Sequence, residues 1–274
     1  MMNDELSAVF MTEEDEPVIR QKSSVSRTLD GVRTAIWEKW VEFRHEWKKI
    51  TASALVSPLL YMIALGWGLG SMVSSGERPY IDFLVPGIIA LATMNTGFSS
   101  VSVALNVQRL FERSFDQIII SPVPMSSYIF GQMTGGALRG MYAGVLILLI
   151  SIPFGATLHV NVLFFLVMFL NGMVFASLGV LASVIAASHL DISRFSTFVI
   201  TPMTFLCNTM FPVERMPAAV AVVINCLPLT HTARMLRAIA YGQEINGWSI
   251  FYLAALTAAF LVLTNIVIKK KSNL

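Results

Sequence analysis

Long runs without a charged side chain dominate this chain. Residues 51–75, 83–108, 140–158, 160–188, 195–213 and 245–268 contain no Asp, Glu, Lys or Arg. A helix of about 20 such residues crosses a hydrocarbon core of roughly 30 Å. Six runs of this kind leave too little polar surface for a soluble domain. Only 13% of the 274 residues are charged and 55% are hydrophobic, where soluble domains carry roughly 25% charge. The expected fold is an all-α polytopic membrane protein with six transmembrane helices, the third beginning near Ser126. An ordinary cytosolic enzyme, a disordered chain and a nucleic-acid binder are excluded on the same ground.

The distribution of charge sets an orientation. The first sixteen residues hold six acids and no base, unlike a secretory signal. Residues 1–28 therefore read as a disordered cytosolic tail. Eight Lys or Arg precede residue 51, and Lys269, Lys270 and Lys271 follow the last run. Lys and Arg concentrate on the cytosolic side, so both termini are expected in the cytoplasm. Arg215, Arg234 and Arg237 dissent, because they fall in the loop expected outside.

Three segments between the runs stand out. Residues 29–50 put Trp37, Trp40, Phe43 and Trp47 on one side of a helical wheel. Glu38, Lys39, Glu42, Glu46 and Lys49 fall opposite. Such a helix suits the headgroup plane, as a plain anchor or as one that also touches a cytosolic partner. Residues 107–119 repeat apolar side chains at helical spacing, with Arg109, Glu112, Arg113 and Asp116 on the other arc. Pro122 and Pro124 end that helix. Its mixed charge reads as a docking ridge or a solvated loop helix. Residues 211–242 hold Pro212, Pro217 and Pro228 around an apolar stretch of 15 residues. That length is short for a span, so a re-entrant helical hairpin at the outer face is expected. Arg234 and Arg237 would then lie at outer headgroup level.

Motifs for phosphate binding, zinc hydrolysis and nucleophilic serine chemistry are missing from the sequence. Its four histidines are scattered, and Cys207 and Cys226 lack metal-site spacing. No acid or base lies inside the six runs, which disfavours ion-coupled transport.

Several motifs, in this order, resemble the permease subunits of ABC transporters of the second exporter type. Tyr80-Ile81-Asp82-Phe83-Leu84-Val85-Pro86-Gly87 resembles that family's start of span two. Phe111 to Pro124, with Arg113, Asp116, Pro122 and Pro124 at matching places, resembles its coupling-helix motif. Phe211-Pro212, Pro217, Pro228-Leu229-Thr230, Arg237 and Gly242 resemble its closing signature. The resemblance implies an exporter of a drug, glycan or lipid-linked amphiphile in the cytoplasmic (inner) membrane. It implies two permeases, expected to be a homodimer, with two ATPase subunits docked at Arg109, Glu112, Arg113 and Asp116. The permease itself would bind no cofactor; ATP and Mg would sit on the ATPase partner. Residues 51–274 would form the permease domain. Spans two and five would line the route with Asn95, Thr96, Ser99, Ser100, Thr201, Thr204 and Asn208, residues equally suited to hydrogen bonding between helices. The rival expectation is a membrane-embedded enzyme or assembly factor using groups such as His231 with Arg234.

Overall fold

The computed structural model describes residues 24–69, 79–112, 114–121, 123–207, 209 and 218–272, and every element among them is helical. Among the described residues, five helices are long and apolar enough to cross a membrane: Ser26–Gly66, Tyr80–Leu110, Met125–Phe154, Val162–Ile185 and Gly247–Lys270. They correspond to α1 (Ser24–Tyr61, continued by a wide turn to Leu69), α2 (Tyr80–Leu110), α4 (Met125–Ser151), α5 (Val162–Ile185) and α10 (Gly247–Ser272). The shorter helices are α3 (Ser114–Ile120), α6 (His189–Phe195), α7 (Thr201–Leu206), α8 (Ala218–Asn225) and α9 (Pro228–Ala240).

The expected fifth span, 195–213, is not one regular helix. It is assembled from α6, a π turn at Ser196–Ile200, and α7, and regular helix stops at Leu206. Pro202 lacks the N–H that would close a normal turn, and the chain widens just before it. The boundary expected between residues 50 and 51 is also missing. No Gly or Pro interrupts the chain between Gly31 and Pro58, and α1 runs through as one helix.

Helices α2 and α5 form the centre. Most of their apolar stretches are buried, 72% and 61%, against 11% for α1 and α10. Small residues allow this close packing, as they do between helices in lipid. A Cβ on Gly172 of α5 would lie 2.8 Å from Ala137 Cα of α4. One polar cluster crosses this core. Asn171 Nδ2 donates to Ala90 O at 3.0 Å and Thr93 Oγ1 at 2.6 Å, and its Oδ1 accepts from Thr232 Oγ1 at 2.9 Å. Helices α2, α5 and α9 are thus joined through fully buried side chains.

The two ends of the bundle are pinned differently. At the α4–α5 turn, Asp82 accepts from Thr157 N and Oγ1, both at 2.9 Å. His159 N donates to Ala240 O at 3.1 Å. At the opposite end, the Arg109 guanidinium donates to the carbonyls of Val184 and Ala186. Both carbonyls lie at the C-terminal end of α5, the negative end of the helix dipole.

Candidate functional site

Helix α1 packs on α4 over its first half and approaches α2 again only near Gly66, where a Cβ would lie 3.3 Å from Ile81 Cδ1. Between those contacts lies a cleft of about 620 Å³, walled by α1, α2 and the α6–α7 segment, with Arg139 of α4 reaching in. Its apolar wall includes Ile50, Ala54, Pro58, Ile88, Leu91 and Val103. Its polar wall includes Ser53, Ser57, Asn95, Thr96, Ser99, Ser102, Ser193, Ser196 and Thr204. Arg139 and His189 also face it, and none of its lining residues is Asp or Glu.

Four of the residues expected to line a route, Asn95, Thr96, Ser99 and Thr204, meet in this cleft. Ser100 does not: it is buried, its hydroxyl donates to Gly97 O at 3.2 Å, and its carbonyl accepts from Lys39 Nζ at 3.4 Å. Thr201 is exposed beside the cleft, its hydroxyl bonded to Ser196 O at 3.3 Å. Asn208 lies outside the described residues.

Beside Arg139 runs an ion triad. Glu42 accepts from Arg139 at 2.8 Å and from Lys39 at 2.9 Å. Lys39 is only 4% exposed, whereas Trp37, Trp40 and Trp47 are 65%, 54% and 48% exposed. All four residues lie on α1. Its aromatic side faces outward and part of its charged side faces α4 and α2. An unpaired Arg at mid-helix costs about 2.5–3.5 kcal/mol on membrane insertion, and Glu42 offsets that cost for two cations at once. Phe43 stays on the α4 side, its ring edge-on to Tyr142 at 4.9 Å. One turn earlier, Glu38 accepts from Gln108, from Tyr128 Oη at 3.3 Å and from Gln132 at 3.1 Å. The Lys39–Glu42 spacing of three residues was the available signal, and Arg139 stood just before an uncharged run.

The expected docking helix at 107–119 is broken. Helix α2 persists to Leu110, the N–H groups of Phe111 and Glu112 both return to Val107 O, and α3 starts at Ser114. Phe111 is exposed while Phe115 is buried, so only the latter holds the element to the bundle. Glu112 is exposed. Arg109 points to the end of α5 rather than outward, where the Val184 and Ala186 carbonyls accept from it. Pro124 caps α4, its carbonyl accepting from Ser127 N at 2.9 Å. Arg113, Pro122 and the Asp116 side chain lie outside the described residues.

At the other end, Pro228 opens α9 and Arg234 is half-buried on it. Arg237 is buried within the protein. Its Nε donates to Phe83 O at 3.1 Å and its guanidinium lies 3.7 Å from the Phe83 ring. Helices α8 and α9 are joined at Cys226–Leu227. Pro212 and Pro217 lie outside the described residues. His231 Nε2 is 2.9 Å from the Asn225 carbonyl, which fixes it as the donor. Nδ1 then accepts from Ser249 Oγ at 3.1 Å. Both ring nitrogens are therefore hydrogen-bonded to neighbouring helices or their ends.

Residues 31–241 match the family described as ABC-2 type transporter. The chain belongs to that family. Nodulation protein J of Rhizobium meliloti (strain 1021) is 32% identical over 205 residues, 73% of this chain and 78% of that protein. The inner membrane transport permease YadH of Escherichia coli (strain K12) is 30% identical over 191 residues, 67% of this chain and 72% of that protein. The match to the ABC-2 type transporter family contains the cleft, the ion triad and the Asn171 cluster. These features therefore belong to the part of the chain that carries the family's character.

Proposed function

We propose that this chain is the permease subunit of an ATP-driven exporter in the inner membrane, and that the cleft is part of its route. The observation that carries this reading is the amphipathic surface on which Asn95, Thr96, Ser99 and Thr204 meet beside Ile88, Leu91 and Val103. A surface of that kind suits a molecule with both a polar and an apolar portion. Two copies of the chain would pair, so that the open cleft of each is closed by the other. ATPase subunits holding ATP and Mg would dock at the end bearing Glu112, Arg113, Asp116, Pro122 and Pro124. The segment of residues 189–206 reaches about 27 Å if helical throughout, so it would supply the sixth crossing with residues beyond it. Both termini would then be cytoplasmic, and α8 with α9 would form the re-entrant outer hairpin.

Co-expression with candidate ABC ATPase subunits from the same genome, followed by reconstitution into vesicles, tests the reading. Fluorescent amphiphiles should leave the vesicle leaflet only when ATP and Mg are supplied, and only when both subunits are present. Equal movement without the ATPase would contradict it.

A further inference from the structure

We propose that the cleft selects amphiphiles carrying an acidic, oxygen-rich group such as a phosphate, sulfate or carboxylate, with Arg139 as its charge partner. The inference rests on the reading of the cleft as part of the route, and adds the class of substrate. Arg139 is the fixed cation among the cleft's lining residues, and no carboxylate opposes it there. Its side chain is 15% exposed, and its bond to Glu42 engages Nη1. A guanidinium offers five N–H donors in a planar fork suited to oxyanions. Glu42 is already shared with Lys39, so two cations meet one carboxylate and the triad keeps one positive charge in excess. Glu38 does not cancel that excess at the wall: three neutral donors hold it, and it does not line the cleft.

Independent observations come from the same walls. Ser102 is fully buried and lines the cleft, yet its hydroxyl has no partner. Asn106, which does not itself line the cleft, is also fully buried, and its Nδ2 has no partner among the described residues. Orphaned buried groups of this kind are uncommon and invite a ligand. His189 Nδ1 lies 3.3 Å from Asn106 Oδ1, which makes Nδ1 the donor and leaves Nε2 an acceptor, able to take a hydroxyl of a ligand but not to donate to its oxyanion. The polar walls therefore offer hydrogen-bonding groups beside a positive charge. Ile88, Leu91 and Val103 supply the apolar surface that an acyl or prenyl tail needs. That surface commits the proposal to an amphiphile rather than a free anion.

Binding to the purified full-length permease in phosphatidylcholine nanodiscs tests this. The probes are dodecyl phosphate, dodecyl glucoside, dodecyltrimethylammonium and inorganic phosphate. Dodecyl phosphate should bind tightest, and inorganic phosphate should not displace it at equal concentration. Arg139→Gln should weaken dodecyl phosphate by roughly tenfold or more and leave dodecyl glucoside unchanged. Arg139→Lys should restore much of the loss. Because Arg139→Gln also strips a partner from Glu42, the double variant Arg139→Gln with Glu42→Gln should show the same selective loss at unchanged net charge. Equal binding of the glucoside or the ammonium probe, displacement by inorganic phosphate, or an unaltered Arg139→Gln would each overturn the proposal. If no amphiphile of any charge binds, the route reading fails, and the inference with it.

Discussion

Asn171 sits in a run of 29 residues without a charge and ties three helices together. Its hydrogen bonds reach α2 and α9. Hydrogen bonds between helices in lipid average about 0.6 kcal/mol, with a maximum near 1.7. Thr93 and Thr232 each keep a second acceptor within their own helix, Ala90 O and Pro228 O, so neither is orphaned when Asn171 is removed. Asn171→Ala should therefore cost about 1–2 kcal/mol, read as a shift in the denaturation midpoint of the purified permease. Gly172→Val next to it should cost more. The added Cβ would meet Ala137 Cα at 2.8 Å, and backbone cannot turn aside as a flexible side chain can. A milder effect from the Gly172 variant than from the Asn171 variant would contradict this account of the α4–α5 contact.

At the level of elements, the stretch from 107 to 120 separates into two jobs. Arg109 closes the end of α5, and Glu112 stands free of the bundle. Arg109→Ala should lower stability by about 1–3 kcal/mol through the lost charged hydrogen bonds. Glu112→Lys should leave stability within about 0.5 kcal/mol and weaken capture of the ATPase subunit. Thermal unfolding and co-purification, run on both variants, separate the roles; a Glu112→Lys permease that retains its ATPase fully would remove this residue from the docking surface. Helical spacing in the sequence shows which side chains share a side, but not what each side meets. Periodicity shows that Trp37, Trp40 and Trp47 share a side; it does not say whether the medium beyond them is lipid or protein. In water the aromatic side would turn inward. Here it is Lys39 that is buried, because Glu42 and the Ser100 carbonyl satisfy it. The same limit hid Arg237, whose partners Phe83 and Thr209 are more than 25 residues distant in sequence.

Across the whole molecule, the uncharged runs were enough to locate α2, α4, α5 and α10, since length and apolarity alone decide whether a helix spans. The cleft was only partly legible. Polar residues of α2 and α7 could be picked out by their setting, but Arg139, Ser102 and His189 join them only through the packing of α1, α4 and α6 around α2. With α2 and α5 central and α1 and α10 peripheral, the 189–206 segment that walls the cleft also carries exposed Phe198 and Phe205. A second copy of the chain would cover that face, and ATP-driven motion of the pair would open the cleft to alternate sides. Thiol accessibility measures this directly. Single cysteines replace Asn95 or Thr204, with Cys207 and Cys226 changed to Ala, in the permease assembled with its ATPase. A membrane-impermeant maleimide is applied to right-side-out and inside-out vesicles. The account predicts labelling from the cytosolic side without nucleotide and loss of that labelling when ATP is trapped on the ATPase, with reactivity appearing from the outer side. Labelling that is the same with and without trapped ATP, from either side, would contradict it.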